Sequence, residues 1–226
     1  MTHISIVILF ITSMSPQQQQ QQKKQQPQRQ RTNKPRFRGR LFRAHRLHDK
    51  PRGQIQTQIT DQTKTHVLRS PQGDTLRIIV LGGCEEVGRN CTLIEYKNDI
   101  IIIDMGLQFP EEDMPGVDYI IPNMSYLRGK EKNIRGVIIT HGHYDHIGGI
   151  THIVTNIGNP PIYSLPMSAA IIKRRQEDLH TRPLNVRITK VSDVLKLGSL
   201  TVSFFHINHN IPDSVGIVID SPAWRI

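Results

Sequence analysis

The chain has 226 residues, enough for one domain with a buried core, and its formal net charge is +10. The charge is uneven: residues 1–53 hold twelve Lys and Arg against one acid, whereas the rest of the chain holds 17 basic and 18 acidic residues. The two cysteines, Cys84 and Cys91, exclude a disulfide framework and a Cys-x-x-Cys metal motif.

Residues 1–53 form an N-terminal arm that contains the glutamine run Gln17–Gln22 and a basic stretch from Lys34 to Arg40. The arm has too few apolar residues to bury a core, so we expect it to be disordered and to be followed by a linker over 54–75. Two roles stay open for the arm: it binds a polyanion such as nucleic acid, or it is a solvated tail.

A short apolar run, Ile4–Ile11, lies near the start of the arm. It is too short to span a bilayer, and no positively charged segment precedes it as in a secretory signal. We therefore expect no membrane association, and a cytoplasmic location, because nothing indicates an oxidising compartment. An organellar presequence is one explanation of the run; the simpler one, which we favour, is that Met14 is the true first residue.

The pattern changes at Leu76, where apolar runs typical of strands begin. Strands are predicted at 76–81, 91–96, 100–103, 137–140, 162–164, 186–191, 201–206 and 215–219. Helices are predicted from Asp145 to about Thr155 and from Pro166 onward. The order of these elements predicts an α/β layered domain over 76–226, with sheets inside and helices outside.

Three histidines and an aspartate follow the predicted strand 137–140 directly, in the segment His141–His146. Nitrogen and oxygen ligands of this kind suit Zn²⁺ or a similar divalent ion. His141 and His143 alternate at the strand end and can hold one metal, while Asp145 and His146 can hold a second. Two such ions, roughly 3.5–4 Å apart, can hold a bridging hydroxide and clamp an in-line displacement.

Further positions contribute to the predicted site. The first metal needs a third histidine, and we prefer His209 to His206 because His209 lies in the loop past a strand end, where ligands usually project. Asp104 ends the buried strand 100–103 and is predicted to orient a histidine ligand, with a turn aspartate as the alternative. Asp213 either shapes the loop of His209 or makes a turn.

The segment His141–His146 resembles the signature of the metallo-β-lactamase superfamily, and Asp104 matches the aspartate that precedes this signature. Three flanking segments, Gly82–Asn90, Asp104–Pro110 and His209–Ser214, are similar to bacterial ribonuclease J more specifically. The motifs occur in the same order as in that family, and the similarity covers the whole predicted domain.

This resemblance implies an αββα metallo-β-lactamase sandwich, incomplete at its C-terminus. It also implies a zinc-dependent ribonuclease of the β-CASP group, with 5′–3′ exonuclease and endonuclease activities in RNA maturation and decay, that forms homo-oligomers. Five side chains are then ligands of two Zn²⁺ ions: His141, His143 and His209 of the first, Asp145 and His146 of the second. Asp145 is implied to be catalytic, and Asp104 to act through the histidine that it orients.

The chain departs from the family at its C-terminal end. The aspartate that bridges both metals in the family lies past Ile226, and Asp220 does not match its position. Ser221–Ile226 looks like a turn and the first two residues of a new strand, so we expect the chain to be a fragment. Two alternatives stay open: another hydrolase of the superfamily, such as a thioesterase or lactonase, or an inactive RNA-binding fragment.

Overall fold

The computed structural model describes residues 3–8, 55–59, 73–112 and 114–226, and all of them belong to one structural unit. The other residues of the predicted arm and linker lie outside the described part, so their disorder stays a prediction. No helix of the described residues is long and apolar enough to cross a bilayer.

A first sheet contains eight of the described strands. In chain order they are β1 His3–Ile8, β2 Ile55–Ile59, β3 Thr75–Gly82, β4 Cys91–Tyr96, β5 Asp99–Ile103, β6 Ile134–Ile138, β7 Ile162–Ser164 and β8 Val186–Ile188. Their order in the sheet is β2-β1-β3-β4-β5-β6-β7-β8. Strands β3 to β5 are antiparallel neighbours, and β5 to β8 run parallel. Parallel strands end at the same edge, which is where ligands of a site can meet.

A second, antiparallel sheet has the order β11-β10-β9. Its strands are β9 Val194–Leu197, β10 Leu200–His206 and β11 Val215–Asp220. After β11 the chain turns, and Ile226 and Ile219 exchange two backbone hydrogen bonds of 2.8 and 3.0 Å. The predicted turn and the start of a further paired segment are therefore present.

The helices are short, apart from one. They are α1 Tyr144–Ile147, α2 Ile150–Ile153 and α3 Pro166–Asp178, with 3-10 turns at Ser125–Leu127, Glu131–Asn133 and Val154–Ile157. The helix predicted to start from Pro166 is confirmed, with Pro at its first turn, where the missing N–H costs nothing.

The helix predicted from Asp145 to about Thr155 is present in part: it is divided at Gly148 and Gly149 into two short helices. The Gly149 amide donates to the Met105 carbonyl at 2.8 Å, and a Cβ at Gly148 would overlap the Leu107 side chain. Asp145 does not cap a helix, because His143 occupies the N-cap position of α1. Close packing against the loop after β5 therefore overrides helix propensity here.

Two apolar clusters, one on each face of the first sheet, hold the layers together. One joins this sheet to the helices and includes Ile100, Ile102 and Ile172; the other joins it to the second sheet and includes Ile101 and Val202. The continuous run of isoleucines in β5 is thus buried on both faces, as its lack of alternation predicts. The α/β class, with sheets inside and helices outside, is confirmed.

The structure differs from the predicted domain boundaries at the N-terminal side. His3–Ile8 pairs in parallel with β2 and β3, whereas the composition of residues 1–53 predicts disorder. Ile55–Ile59 is likewise a strand inside the predicted linker. The physical reason is local: Ile and Val supply four of the six residues of β1, and β-branched residues favour strands. The sequence shows this segment as the apolar run Ile4–Ile11, but the preference for Met14 as the first residue kept it out of the predicted domain.

Candidate metal centre

The candidate centre forms where two neighbouring parallel strands end. Strand β5 is followed by Asp104 and β6 by Thr140, and the register pairs Ile103 with Ile138. Asp104 has a φ of +59° and its amide donates to the Ile138 carbonyl at 3.0 Å. This left-handed backbone turns the buried carboxylate of Asp104 toward the loop that carries His141 to His146.

Two of the flanking segments that resemble ribonuclease J, Gly82–Asn90 and Asp104–Pro110, meet the segment His141–His146 at this edge through their backbones. The Asn90 amide donates to the Asp145 carbonyl at 3.0 Å, and the Gly106 amide donates to the Asn90 carbonyl at 2.9 Å. The Met105 amide donates to the His146 carbonyl at 2.8 Å. A Cβ at Gly106 would overlap the Asp145 carbonyl, so only glycine allows this approach.

Three histidines form one cluster: His141, His143 and His209. Nδ1 of His143 lies 3.1 Å from Nε2 of His141 and 3.2 Å from Nε2 of His209. Two nitrogens bound at about 2.0–2.1 Å to one tetrahedral zinc ion lie about 3.3 Å apart. The donor set and the spacing of its nitrogens therefore fit a divalent metal. The three residues predicted to bind the first metal lie together at this centre.

The structure separates the two candidates for the third histidine. His209 lies in the loop after β10, and its ring centroid is 4.6 Å from that of His141. His206 is the last residue of β10, is exposed, and is not in the described metal-ligand cluster. The preference for a loop position over a strand position thus matches the geometry.

A hydrogen-bond network behind the cluster orients two of the rings. Oδ2 of Asp104 accepts from Nδ1 of His146 at 2.7 Å and from Oγ1 of Thr140 at 2.8 Å. Because the Thr140 hydroxyl donates to Asp104, it can accept from Nδ1 of His141, 2.9 Å away. Both histidines then keep Nε2 free of a proton and available as a ligand.

The pKa values of the two histidines move in opposite directions. Burial lowers the pKa of His141 to about 4, helped by the nearby His146, His143 and His209 rings, so His141 is neutral near pH 7. Burial also acts to lower the pKa of His146, but the hydrogen bond and charge of Asp104, with the charge of Asp145, outweigh it and raise this pKa. A neutral imidazole is the form that binds metal.

Asp145 and His146, the predicted ligands of a second metal, lie side by side. Oδ2 of Asp145 is 3.3 Å from Nε2 of His146, the nitrogen that Asp104 leaves available. Nδ2 of Asn90 donates to Oδ2 and to the backbone carbonyl of Asp145, both at 3.1 Å. The pair therefore offers two metal-ligand atoms close together, one nitrogen and one oxygen.

Sequence reasoning assigned no role to Thr140 or Asn90, although both touch the predicted ligands. In the sequence Thr140 is only the end of an apolar run. Its role could not be predicted, because its hydroxyl contacts depend on how β5 and β6 pair. Asn90 stands at the end of the segment Gly82–Asn90, so its place in a family-like motif was the available signal. Asp213, which the sequence allowed either to shape the His209 loop or to make a turn, accepts a hydrogen bond from the Met167 amide of α3 at 2.8 Å. This bond connects the His209 loop to that helix.

Comparison with known proteins decides the family. The family model of the metallo-β-lactamase superfamily matches residues 84–220, which contain every predicted ligand. The chain belongs to the metallo-β-lactamase superfamily. This membership confirms the predicted αββα fold class, and with the histidine cluster it makes the centre a metal-binding one.

Within the superfamily, the comparisons confirm the resemblance to ribonuclease J. The chain is 39% identical to ribonuclease J 1 of Streptococcus pyogenes over 150 residues, covering 66% of this chain and 27% of the relative. It is 36% identical to ribonuclease J of Thermus thermophilus over 160 residues, covering 68% of this chain and 28% of the relative. The match thus spans little more than a quarter of these relatives' length.

A solved structure supports the fold of this superfamily member independently. A protein of unknown function from Enterococcus faecalis V583 superposes with a TM-score of 0.52 at 18% identity, covering 64% of this chain and 40% of that chain. At this identity the likeness concerns the fold alone.

Proposed function

We propose that this superfamily member is a zinc-dependent ribonuclease that hydrolyses RNA phosphodiester bonds. The observation that carries the proposal is the cluster of His141, His143 and His209, in which Nδ1 of His143 lies at the spacing of tetrahedral zinc ligands from Nε2 of each of the other two. His209 lies in one of the segments that resemble ribonuclease J, and the chain is 39% and 36% identical to two ribonucleases J over 150 and 160 residues. RNA is the corresponding substrate, and Zn²⁺ suits the three imidazole donors.

The described residues divide the work at this centre. His141, His143 and His209 would hold one ion, and Asp145 and His146 a second. Zinc bound there would supply Lewis-acid activation of water and of the phosphoryl group. Asp104 and Thr140 hold Nδ1 of His146 and His141, so each ring would offer Nε2 to an ion in a fixed orientation before substrate arrives.

The finer features of the proposal are those that the resemblance to ribonuclease J implies. They are 5′–3′ exonuclease and endonuclease activities in RNA maturation and decay, assembly into homo-oligomers, and a cytoplasmic location. The basic arm, residues 1–53, would add nucleic-acid affinity through its Lys and Arg residues, and this contribution should weaken as salt rises.

A comparison of two single-site variants tests the function. His143→Ala removes the central nitrogen of the cluster, so we expect loss of bound zinc and of cleavage of a labelled, 5′-phosphorylated RNA. His206→Ala is the matched control, because it removes an exposed histidine nearby that is not in the cluster. Metal content by mass spectrometry and RNA products on gels are the two readouts.

The outcomes of this test separate the alternatives. If the wild-type chain cleaves RNA and His143→Ala still cleaves it, the proposal of a metal-dependent ribonuclease is contradicted. Zinc-dependent hydrolysis of a thioester or lactone, with no action on RNA, would favour another superfamily hydrolase. Retention of RNA and zinc without turnover would favour an RNA-binding role for this chain.

A further inference from the structure

One face of α3 runs along the loop that carries the metal ligands. A Cβ added at Gly142 would lie 2.8 Å from Cδ1 of Ile171 and 3.4 Å from Oγ of Ser168. Arg175 lies four residues after Ile171 and therefore on the same helical face, one turn further on. Its guanidinium carbon is 4.6 Å from the ring centroid of Tyr144, which stands between the ligands His143 and Asp145. This face thus carries a cation to the rim of the metal centre.

The charge of Arg175 is not neutralised by a carboxylate in the described part of the chain. The ion pairs found there include its neighbour Arg174, bound to Asp178 at 3.0 Å, but not Arg175. Nε of Arg175 is buried and has no hydrogen-bond partner among the residues the structure describes. Nε itself is shielded, but the guanidinium is half-buried and its only described ring contact is Tyr144, so its other two nitrogens remain to donate to an anion.

An exposed aromatic ring stands beside this cation. Tyr144 is 43% exposed, and Tyr119, which is 41% exposed, stacks on His152 with ring centroids 4.3 Å apart. Burial lowers the pKa of His152, and the charge of Arg175 lowers it further. A cation beside an exposed aromatic ring is an arrangement by which proteins hold single-stranded nucleic acid.

We propose that Arg175 and Tyr144 form a subsite for one nucleotide of an RNA strand at the rim of the metal centre. The guanidinium pairs with a backbone phosphate, and the ring of Tyr144 holds the guanidinium in place and presents its exposed surface to a base. The subsite rests on the proposed ribonuclease function, and it assigns part of the RNA affinity to the folded domain instead of the basic arm.

The test compares two adjacent arginines in the full chain. Arg175→Gln and Arg174→Gln make the same change in charge, one on the rim and one in an exposed pair with Asp178. Binding of a fluorescent pentaribonucleotide is measured by anisotropy over a range of salt concentrations, after dialysis against a chelator so that nothing is cleaved. Thermal melts of both variants verify that they are folded.

We expect Arg175→Gln to weaken binding about tenfold, because it removes a charge-assisted contact. The slope of log K for RNA binding against log salt concentration should become shallower by about 0.7, the value for one phosphate contact on a single strand. Arg174→Gln should leave both quantities near those of the wild type, and Arg175→Lys should retain most of the salt dependence because it retains the charge.

The outcomes distinguish this subsite from the function on which it rests. Equal RNA affinity and equal salt dependence in Arg175→Gln and Arg174→Gln would overturn the subsite and leave the ribonuclease proposal standing. Absence of RNA binding by the wild-type chain would overturn both. If Arg175→Gln melts early, the folded Arg175→Lys and a Tyr144→Leu variant decide, since loss of the ring should also weaken binding.

Discussion

Single residues behind the metal ligands decide how well the centre is preorganised. The carboxylate of Asp104 is 4% exposed and is shared by His146 and Thr140, and Thr140 extends the same network to His141. One aspartate therefore orients two histidines, one from each predicted metal site. The position of Asp104 after an apolar strand predicted this role, whereas that of Thr140 depends on the pairing of two strands.

Replacement of Thr140 by Val removes the hydroxyl while conserving shape. We expect zinc affinity to fall by about 10- to 100-fold, because Nδ1 of His141 loses its acceptor and Asp104 loses a donor. Competition with a chelating dye measures the zinc dissociation constant.

The control for this variant is Thr201→Val in β10, a half-buried threonine on a different sheet. It should leave zinc affinity unchanged. A Thr140→Val chain that binds zinc as tightly as the wild type would show that the hydroxyl does not hold His141.

At the scale of elements, loops tied to one another position the ligands more than helices do. Helix α1 has four residues and ends where Gly148 and Gly149 pack on the loop after β5. The His209 loop reaches the cluster while Asp213, with a φ of +60°, accepts the Met167 amide at the start of α3. The third histidine thus depends on a capping contact between a loop and a helix distant in sequence.

Loss of this capping contact should be measurable. Asp213→Ala leaves an N-terminal amide of α3 without its acceptor and places Ala in a left-handed conformation, so we expect the free energy of unfolding to fall by about 1 kcal/mol. Asp213→Asn should retain most of the stability, since Asn accepts the same hydrogen bond and tolerates a positive φ.

Urea unfolding of the zinc-free chain measures this difference, and a zinc titration shows whether the His209 loop still reaches the cluster. Equal stability of the Ala and Asn variants would contradict a capping role for Asp213.

At the scale of the whole described domain, Asp99 connects the two sheets. It begins β5 in the first sheet, and its Oδ2 accepts from the amide and the hydroxyl of Ser199, in the turn between β9 and β10, at 2.7 and 2.6 Å. Its Oδ1 accepts from Nε of Arg135 at 2.5 Å. Burial alone would raise the pKa of Asp99, but the bonds from Ser199 and Arg135 outweigh it and lower the pKa below its ordinary value.

This lowered pKa makes stability depend on pH in a defined direction. The contribution of ionised Asp99 is complete above the ordinary aspartate pKa of about 3.9 and is lost as pH falls from there through the lower pKa of the folded state. We therefore expect Asp99→Asn to be less stable than the wild type at pH 7, and the difference to shrink below about pH 4. Urea unfolding of both chains between pH 7 and pH 3 provides the measurement, and a constant difference over this range would contradict the assignment.

Much of the fold was predictable from local pattern. Strand β4 and strand β7 have the predicted bounds, the isoleucine run of β5 is buried on both faces, and α3 begins at Pro166. The split between α1 and α2 was not predicted, because it depends on packing against the loop after β5. Strand β9 was missed although it pairs locally with β10. The placement of His3–Ile8 in the sheet was missed because Met14 was preferred as the first residue.

By itself the sequence determined the family, through the resemblance of several motifs in the same order, and it predicted the ligand types, because closely spaced histidines and aspartates after an apolar strand suit a metal. Only the tertiary structure decided how they cooperate. It brought His209 to His141 and His143, made Thr140 a partner of Asp104, and set Arg175 against Tyr144. The physical reason is that these contacts join residues from different strands and helices, so they exist only once the parallel strand ends and the face of α3 have packed together.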